Sequence, residues 1–450
     1  MAQKSKHRIS RILIANRGEI AVRVIRTCRE MGIETVAVYS TADKDNLHVK
    51  LADQAVCIGP PPSSQSYLLR NNLVMAALNT GCEAVHPGVG FLSENAGFAA
   101  LVREKGLIFI GPEAETIELL GDKVQARTTA AKYGLPVTPG TKDAVENNTA
   151  ALQEAMGLGF PVIIKAAAGG GGKGMRIVRS AEELAESLSI ASREAESNFA
   201  DGRVFIERYL ENPRHVELQI LCDGKGKVSI LGERDCSVQK NHQKLIEESP
   251  SPGVNDAMRQ RMSQGAAGMF ADLKYCGAGT IEFLVEDDNF YFMEVNARVQ
   301  VEHPVSEFVT GVDIIRQQIL ACIGEEMEIP DGSLPLNGWS VECRINAHSP
   351  GKVTRLDIPG GHGVRFDSFL YSGCNVPPHY DSMVAKLIVH SETRDRALDK
   401  MSRALGELQI EGINSNIAQQ KFMINNNIFR SGNFGTAFYG SIAEEVEHVK

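Results

Sequence analysis

Residues 290–303 read Phe-Tyr-Phe-Met-Glu-Val-Asn-Ala-Arg-Val-Gln-Val-Glu-His. From Glu294 onward the even positions are Glu294, Asn296, Arg298, Gln300 and Glu302, and the odd positions are Val295, Ala297, Val299 and Val301. Successive side chains of an extended strand point to opposite faces. While the chain stays extended, one face is apolar and the other carries two acids, two amides and a guanidinium. Such a segment belongs half-buried in a sheet, and its polar face is a candidate site.

Upstream, Gly279-Thr-Ile-Glu-Phe-Leu-Val-Glu286 precedes the turn-rich Asp287-Asp288-Asn289, which predicts a β-hairpin. A one-residue slip moves every side chain to the other face, so the apolar pattern selects the register. A three-residue loop sets Glu282 opposite Glu294 and gathers Ile281, Phe283, Val285, Tyr291, Met293 and Val295 on one face. A two-residue loop would mix acids into that face. The chosen register holds two carboxylates about 5 Å apart at Cβ, which is destabilising for like charges. A divalent cation relieves the repulsion, and Asn296, one pleat on, adds an amide oxygen. Hard oxygen ligands suit Mg²⁺, which usually binds through one or two carboxylates plus substrate phosphates.

The chain has 450 residues, enough for two or three domains with substantial cores. A formal net charge of -9 argues against nucleic acid or an anionic membrane as the main partner. No apolar run is long enough to span a bilayer. The first residues, Met1-Ala-Gln-Lys-Ser-Lys-His7, lack the apolar region of a signal peptide. Nine cysteines are scattered without a Cys-x-x-Cys pair, so neither a zinc ribbon nor a disulfide framework is indicated. Dispersed thiols in odd number fit a reducing, cytoplasmic setting, with each cysteine a small core residue.

Residues 10–40 read strand, helix, strand. Arg11–Ala15 is an apolar run, Ile20, Val24, Cys28 and Met31 recur near the helical period, Gly32 ends the helix, and Thr35–Tyr39 is the next strand. Glu83–Val85 and Leu107–Ile110 continue a parallel α/β pattern, with sites expected at strand C-termini. A dinucleotide fingerprint needs three spaced glycines, and only Gly18 follows the first strand. A nicotinamide oxidoreductase is therefore disfavoured. A smaller α+β block spans roughly 135–210. From 215 to 300 the chain is hairpin-rich, with Asp223-Gly-Lys-Gly226 as a turn. A final region begins after Pro330 and carries a late helix around Arg394–Leu408.

Phe160–Val178 combines a strand, the glycine run Gly169, Gly170, Gly171, Gly172, Lys173, Gly174, and a second strand. Glycines let backbone N–H groups approach phosphate oxygens closely. Lys165, at the end of the first strand, supplies a point charge for phosphate. A Walker A loop needs Gly-Lys-Ser/Thr opening a helix, whereas Gly174 and a strand follow Lys173. The segment therefore reads as a mobile cover over phosphates. Val204–Leu210 reads as a strand leading back to the main body, along the adenine side.

These features together resemble the ATP-grasp superfamily and, more closely, the biotin carboxylases. The resemblance rests on Ala15-Asn-Arg-Gly-Glu-Ile-Ala21, His86-Pro-Gly-Val-Gly-Phe-Leu-Ser-Glu-Asn95, Gly169–Met175, Glu211-Asn-Pro-Arg-His-Val-Glu217, Glu233-Arg-Asp-Cys-Ser-Val-Gln239, Glu294–Pro304 and Val341-Glu-Cys-Arg-Ile-Asn346. It implies an α/β and α+β multidomain fold. A Rossmann-like parallel sheet would occupy 1–122 and an ATP-grasp domain 123–335, with a glycine-rich lid at about 137–209. A C-terminal α+β domain would occupy 336–450. It further implies that Lys123 and Lys165 contact nucleotide phosphates, that Glu207 and Leu210 border adenine, and that His215, Gln239 and His242 line the nucleotide and bicarbonate site. Glu282, Glu294 and Asn296 would hold Mg²⁺ or Mn²⁺, in agreement with the hairpin argument. Lys244, Arg298, Gln300 and the Val301 backbone would hold bicarbonate. Glu302 would be the general base, and Arg344 the partner of the biotin ureido oxygen.

The implied reaction carboxylates biotin with ATP and bicarbonate through carboxyphosphate. No Ala-Met-Lys-Met biotin-attachment sequence appears, so the biotin carrier protein and the carboxyltransferase are expected as separate chains, most readily those of an acetyl-CoA carboxylase. Competing readings are another ATP-grasp ligase with an acyl-phosphate intermediate and a non-catalytic nucleotide-binding subunit. Three positions depart from the family pattern. Val89 stands where Tyr is usual, the Asn346–Val353 segment is shorter, and His362 replaces a frequent Phe near the dimer contact. A homodimer through Arg26, Glu30 and Arg365 remains the expectation.

Overall fold

The computed structural model describes residues 8–141, 144–145, 148–167 and 175–449. The five glycines assigned to the phosphate cover, Gly169, Gly170, Gly171, Gly172 and Gly174, lie outside the described residues. Five parallel strands build the N-terminal sheet: β1 (Arg11–Ile14), β2 (Glu34–Ser40), β3 (Gln54–Gly59), β4 (Ala84–His86) and β5 (Ile108–Phe109), in the order β3-β2-β1-β4-β5. Helix α1 (Gly18–Glu30) follows β1 and buries Ile20, Val24 and Cys28, the spacing read from the sequence. Gly18 enters the helix at φ +67, a left-handed conformation that glycine adopts without steric cost.

A small antiparallel sheet comes next, formed by β6 (Val162–Ala166), β7 (Arg176–Val178) and β8 (Val204–Arg208) in the order β7-β6-β8. The helix Ala181–Phe199 packs on it through Leu184, Leu188, Ala191 and Ala195, giving this region its own apolar core.

The main sheet has nine strands. Its first part is β9 (Arg214–Asp223), β10 (Val228–Lys240), β11 (Gln243–Ser249), β12 (Cys276–Glu286) and β13 (Asn289–Asn296), in the order β13-β12-β9-β10-β11. The predicted turn between β9 and β10 is present, with Gly224 and Gly226 at φ +74 and +112. Beyond β11 the sheet continues through Trp339–Asn346, Met383–Ser391 and Val364–Ser368, with Ile246 paired to Cys343. The region after 336 therefore shares its sheet with the strands before it. The late helix runs Arg394–Glu407 and covers the C-terminal strands with Leu398, Met401 and Leu405.

The β12–β13 hairpin keeps the predicted pairing of Glu282 with Glu294 but reaches it differently. The loop has two residues, because Glu286 pairs Asn289, and Asp287 takes φ +53. A β-bulge between Glu282 and Phe283 then absorbs one residue. The bulge exchanges faces along β13: Phe290 and Phe292 are buried with Phe283 and Val285, while Tyr291 and Met293 are part-exposed. The expected apolar face was therefore wrong for Tyr291 and Met293. The rejected two-residue loop is compatible with the acid pair because the bulge restores the register. The strand also stops at Asn296, so the extended segment does not reach Glu302.

Candidate active site

Register places four charged residues in one row across four strands. Glu294 on β13 faces Glu282 on β12, Glu282 faces Glu217 on β9, and Glu217 faces Arg234 on β10. Three carboxylates on adjacent strands repel one another unless cations lie among them. Arg234, fully buried, sets its Nε 2.5 Å from Glu217 Oε1. Lys244, from β11, reaches across the row. Its Nζ lies 2.6 Å from Glu217, 3.1 Å from Glu282 and 2.5 Å from Glu302. One ammonium thus ties three buried acids together.

Glu302 arrives from another direction. After Asn296 the chain bends, and Glu302 becomes the residue preceding the helix His303–Thr310. Its second oxygen accepts from Arg344 at 3.0 Å, and Arg344 is also held by Glu247 at 2.5 Å. Burial alone would raise the Glu302 pKa, but Lys244, Arg344 and Arg234 outweigh it and hold the carboxyl well below its usual range. Glu302 is therefore ionised across the working pH range. Arg298 spans the preceding bend, donating to Glu94 at 2.7 Å, Gln300 at 2.8 Å and Asn296 at 3.0 Å. The Val301 carbonyl accepts from Lys386 at 2.7 Å, which anchors the turn beside Glu302.

The nucleotide side is built from the smaller sheet and the start of the helix Lys123–Lys132. Lys165, on β6, donates to Glu207 on β8 at 2.5 Å, and Arg127 binds the other Glu207 oxygen. Burial, with Lys123 and Arg127 close by, pushes the Lys165 ammonium down to about 7, with the Glu294 charge acting against this. His215 is hydrogen-bonded at both ring nitrogens, 2.7 Å to Glu282 and 2.6 Å to Gln239. Burial works against its charge, but the Glu282 carboxylate prevails and raises its pKa.

One cleft of about 860 Å³ gathers every described residue assigned to catalysis, nucleotide or metal binding. Lys123, Lys165, Glu207 and Leu210 line one end. His215, Gln239 and His242 stand between, His242 on the exposed turn from β10 to β11 at φ +63. Lys244, Glu282, Glu294, Asn296, Arg298, Gln300, Val301, Glu302 and Arg344 line the rest. Val89 lines it too, so the missing tyrosine ring falls at the cleft wall. The short 346–353 segment is pinned by Asn346 N–H to Asn416 at 2.8 Å and by the Ala347–Ser415 bridge. Arg365, expected at a dimer contact, binds Glu307 and Asp367 of its own chain at 2.6 Å each.

A cation fits beside Glu294. Among the described residues two clusters of ligand-type atoms lie within 4.8 Å, His215 with Glu217 and Glu282, and Glu217 with Cys236 and Glu302, but Lys244 and Arg234 already compensate their acids. Glu294 differs: burial and the Glu282 charge raise its pKa, with Lys123 acting in the opposite sense. A dication between the two acids would remove that strain. Asn296 turns its Nδ2 to Glu282 at 2.8 Å, and its oxygen accepts from Arg298 with one of its two lone pairs, leaving the other for a cation.

Comparison with known proteins agrees with this geometry. Family models described as "Biotin carboxylase, N-terminal domain", "Carbamoyl-phosphate synthase L chain, ATP binding domain" and "Biotin carboxylase C-terminal domain" match residues 8–117, 122–329 and 342–440. Biotin carboxylase 1 of Bacillus subtilis is 49% identical over 440 residues, 96% of this chain and 98% of the relative. The biotin carboxylase of Haemophilus influenzae is 48% identical over 432 residues, 94% and 96% of the two chains. The chain belongs to the biotin carboxylase family. It is a ligase, and its fold matches solved members of the family. A Campylobacter jejuni biotin carboxylase solved as a "beta-gamma-ATP complex" superposes with a TM-score of 0.93 at 44% identity, covering 96% of this chain and 99% of that one. The biotin carboxylase domain dimer of a Hydrogenobacter thermophilus 2-oxoglutarate carboxylase, solved with MgADP, ADP and bicarbonate, gives 0.94 at 41%, covering 99% and 100%.

For a biotin carboxylase read from its sequence, five site residues went unassigned: Glu94, Arg127, Glu217, Arg234 and Glu247. Arg127, Glu217 and Glu247 are buried or part-buried partners of Glu207, Lys244 and Arg344, Glu94 is the exposed partner of Arg298, and Arg234 is the buried partner of Glu217. A signal for one of them exists in β9, where His215, Glu217 and Gln219 alternate with Val216, Leu218 and Ile220.

Proposed function

We propose that this chain carboxylates biotin carried on a separate carrier protein, using MgATP and bicarbonate through carboxyphosphate. The observation that carries the reading is Glu302 fixed between Lys244 and Arg344, at 2.5 and 3.0 Å. It joins a base, an anion-binding ammonium and a guanidinium within one buried cluster.

Without substrates the cations are held by the protein's own acids: Lys165 by Glu207, Lys244 by three carboxylates, Arg298 by Glu94, and Arg344 by Glu247 and Glu302. Lys123 and Lys165 are placed to receive the nucleotide phosphates, and Leu210 gives an apolar wall near the base. Glu282 and Glu294, with Asn296, would hold Mg²⁺, which neutralises phosphate charge during transfer. Lys244, Arg298, Gln300 and the Val301 N–H then receive bicarbonate. When the anion engages Lys244, that ammonium is shared away from Glu302, whose basicity rises. Glu302 takes the bicarbonate proton as the bicarbonate oxygen attacks the γ-phosphorus and ADP leaves. Carboxyphosphate breaks down to CO₂ and phosphate, and the phosphate takes the biotin N1 proton. Arg344 stabilises the resulting enolate oxygen, since its guanidinium stays charged and presents a planar fork.

We assign the working domains to 1–122, 123–335 with a lid at about 137–209, and 336–450. The partners are a biotin carrier and a carboxyltransferase on other chains. The setting is an acetyl-CoA carboxylase in the cytoplasm, supported by bacterial and chloroplast relatives of full-length similarity. A homodimer is supported by the dimeric H. thermophilus domain.

The test is ADP release with and without bicarbonate and free biotin. Turnover should require bicarbonate and increase with biotin, and carboxybiotin should form. Bicarbonate-dependent turnover that ignores biotin, with no carboxybiotin, overturns the reading in favour of another acyl-phosphate ligase.

A further inference from the structure

Two of the nine cysteines lie outside the chemistry above and against each other. Cys276 opens β12, and Cys322 ends the helix Ile314–Cys322. Their sulfurs are hydrogen-bonded at 3.8 Å, and both residues are part-exposed. Six of the other seven are buried, and Cys57 is exposed. The pair has a cation for a neighbour. Cys322 Sγ lies 4.0 Å from the Gly111 carbonyl, which also accepts from Arg103 Nη2. Arg103 Nε pairs with Glu113, and its buried Nη1 has no partner. The contact with Cys322 and the Arg103 charge lower the Cys276 pKa, against burial and the Glu113 and Asp223 charges, while Cys322 is held well above the usual thiol range.

The consequence is topological. Cys276 and Cys322 are 46 positions apart, and the segment between them contains Glu282, Glu294, Asn296, Arg298, Gln300 and Glu302. A bond between these sulfurs would close a loop around that entire catalytic segment.

We infer that Cys276 and Cys322 are a modification site: a dithiol that a small disulfide such as oxidised glutathione converts to a reversible intrachain disulfide. Cys276 thiolate attacks one glutathione sulfur, forms a mixed disulfide and releases one glutathione thiolate, which takes up a proton. Cys322, losing its proton to solvent, attacks the Cys276 sulfur and releases the second glutathione. Two protein thiols are oxidised by two electrons, and glutathione disulfide is reduced to two glutathiones. The sulfurs need to approach by just under 2 Å to reach bonding distance of about 2.05 Å. Closing a loop of this length restricts the unfolded chain and raises the unfolding temperature.

The experiment treats the full chain with glutathione disulfide and counts free thiols after denaturation. The count should fall from nine to seven. Peptide mapping should link Cys276 to Cys322, and the unfolding transition should rise by roughly a few degrees. Dithiothreitol should reverse all three. Cys276→Ser and Cys322→Ser should each lose the linked peptide and the thermal shift. The wild-type map decides the matter alone if either variant folds poorly. A glutathione adduct at Cys57 with the pair still reduced overturns the inference, and so does a linkage that joins other cysteines.

Discussion

Replacing Glu302 with Gln keeps the side-chain shape and removes one charge from the centre of the site. Glu302 has no exposed surface and is held by Lys244 at 2.5 Å and Arg344 at 3.0 Å. Truncating one member of a buried ion pair costs about 3–5 kcal/mol when its partner is left alone. Here Lys244 keeps Glu217 and Glu282, Arg344 keeps Glu247, and the amide oxygen can still accept. The stability cost should therefore be nearer about 1.5–3 kcal/mol, the range for a hydrogen bond to a charged group. The rate cost is larger. Loss of a general base removes about 10²–10⁴-fold. Glu302→Gln should lower kcat for bicarbonate-dependent ADP release by that factor. Nucleotide contacts at Lys123 and Lys165 are untouched, so the MgATP dissociation constant, read by calorimetry, should stay within about threefold. Turnover retained within about tenfold of wild type would remove Glu302 from the role of base. Loss of nucleotide binding would place it in the nucleotide site instead.

Three further outcomes follow from the same contacts. Lys165, pushed down to about 7 in the free protein, is mostly neutral at pH 8 and should be reprotonated beside phosphate. ADP binding at pH 8 should therefore take up a proton, read by calorimetry in buffers of different ionisation enthalpy, and Lys165→Arg should abolish the uptake. Arg234→Met leaves Glu217 buried beside Glu282 and Glu302 with Lys244 as its remaining cation, and should cost about 3–5 kcal/mol in denaturant unfolding. A loss under about 1 kcal/mol would mean the row of acids is not held by Arg234. Burial pushes His48 down to about 4. The unfolded chain therefore binds this proton more readily, and stability falls as pH drops from the free-histidine range near 6.5 toward 4. The loss should be on the order of 2 kcal/mol, and His48→Gln should remove that part of the pH dependence.

How much of this was legible in the chain depends on how local the cause is. The Glu282–Glu294 pairing follows from two nearby apolar patterns joined by one turn, and it holds in the structure. The loop length and the exposed positions of Tyr291 and Met293 do not follow, because a bulge trades one residue between loop and strand with no mark in the alternation. The extended reading of Arg298, Gln300 and Glu302 fails for a related reason. Alternation persists through the bend at 297–302, yet those side chains still reach the cleft, because Lys386 ties the Val301 carbonyl and Lys244 and Arg344 hold the Glu302 carboxylate. Glu217, Arg234 and Glu247 were missed because their roles arise from strands pairing across the sheet. Glu217 faces Glu282 from 65 positions away, and Glu247 meets Arg344 across 97. Such neighbours are set by sheet order, which no short window contains.

In the proposed reaction bicarbonate, gathered by Lys244 and Arg298, attacks the γ-phosphate directly. Turnover in ¹⁸O-labelled bicarbonate, with the released phosphate analysed by mass spectrometry, tests it. Attack by a bicarbonate oxygen transfers one labelled oxygen to each phosphate released. Phosphate carrying no more label than a control hydrolysed in the same solution would show that water cleaves the ATP, and would contradict the assignment of Glu302, Lys244 and Arg298.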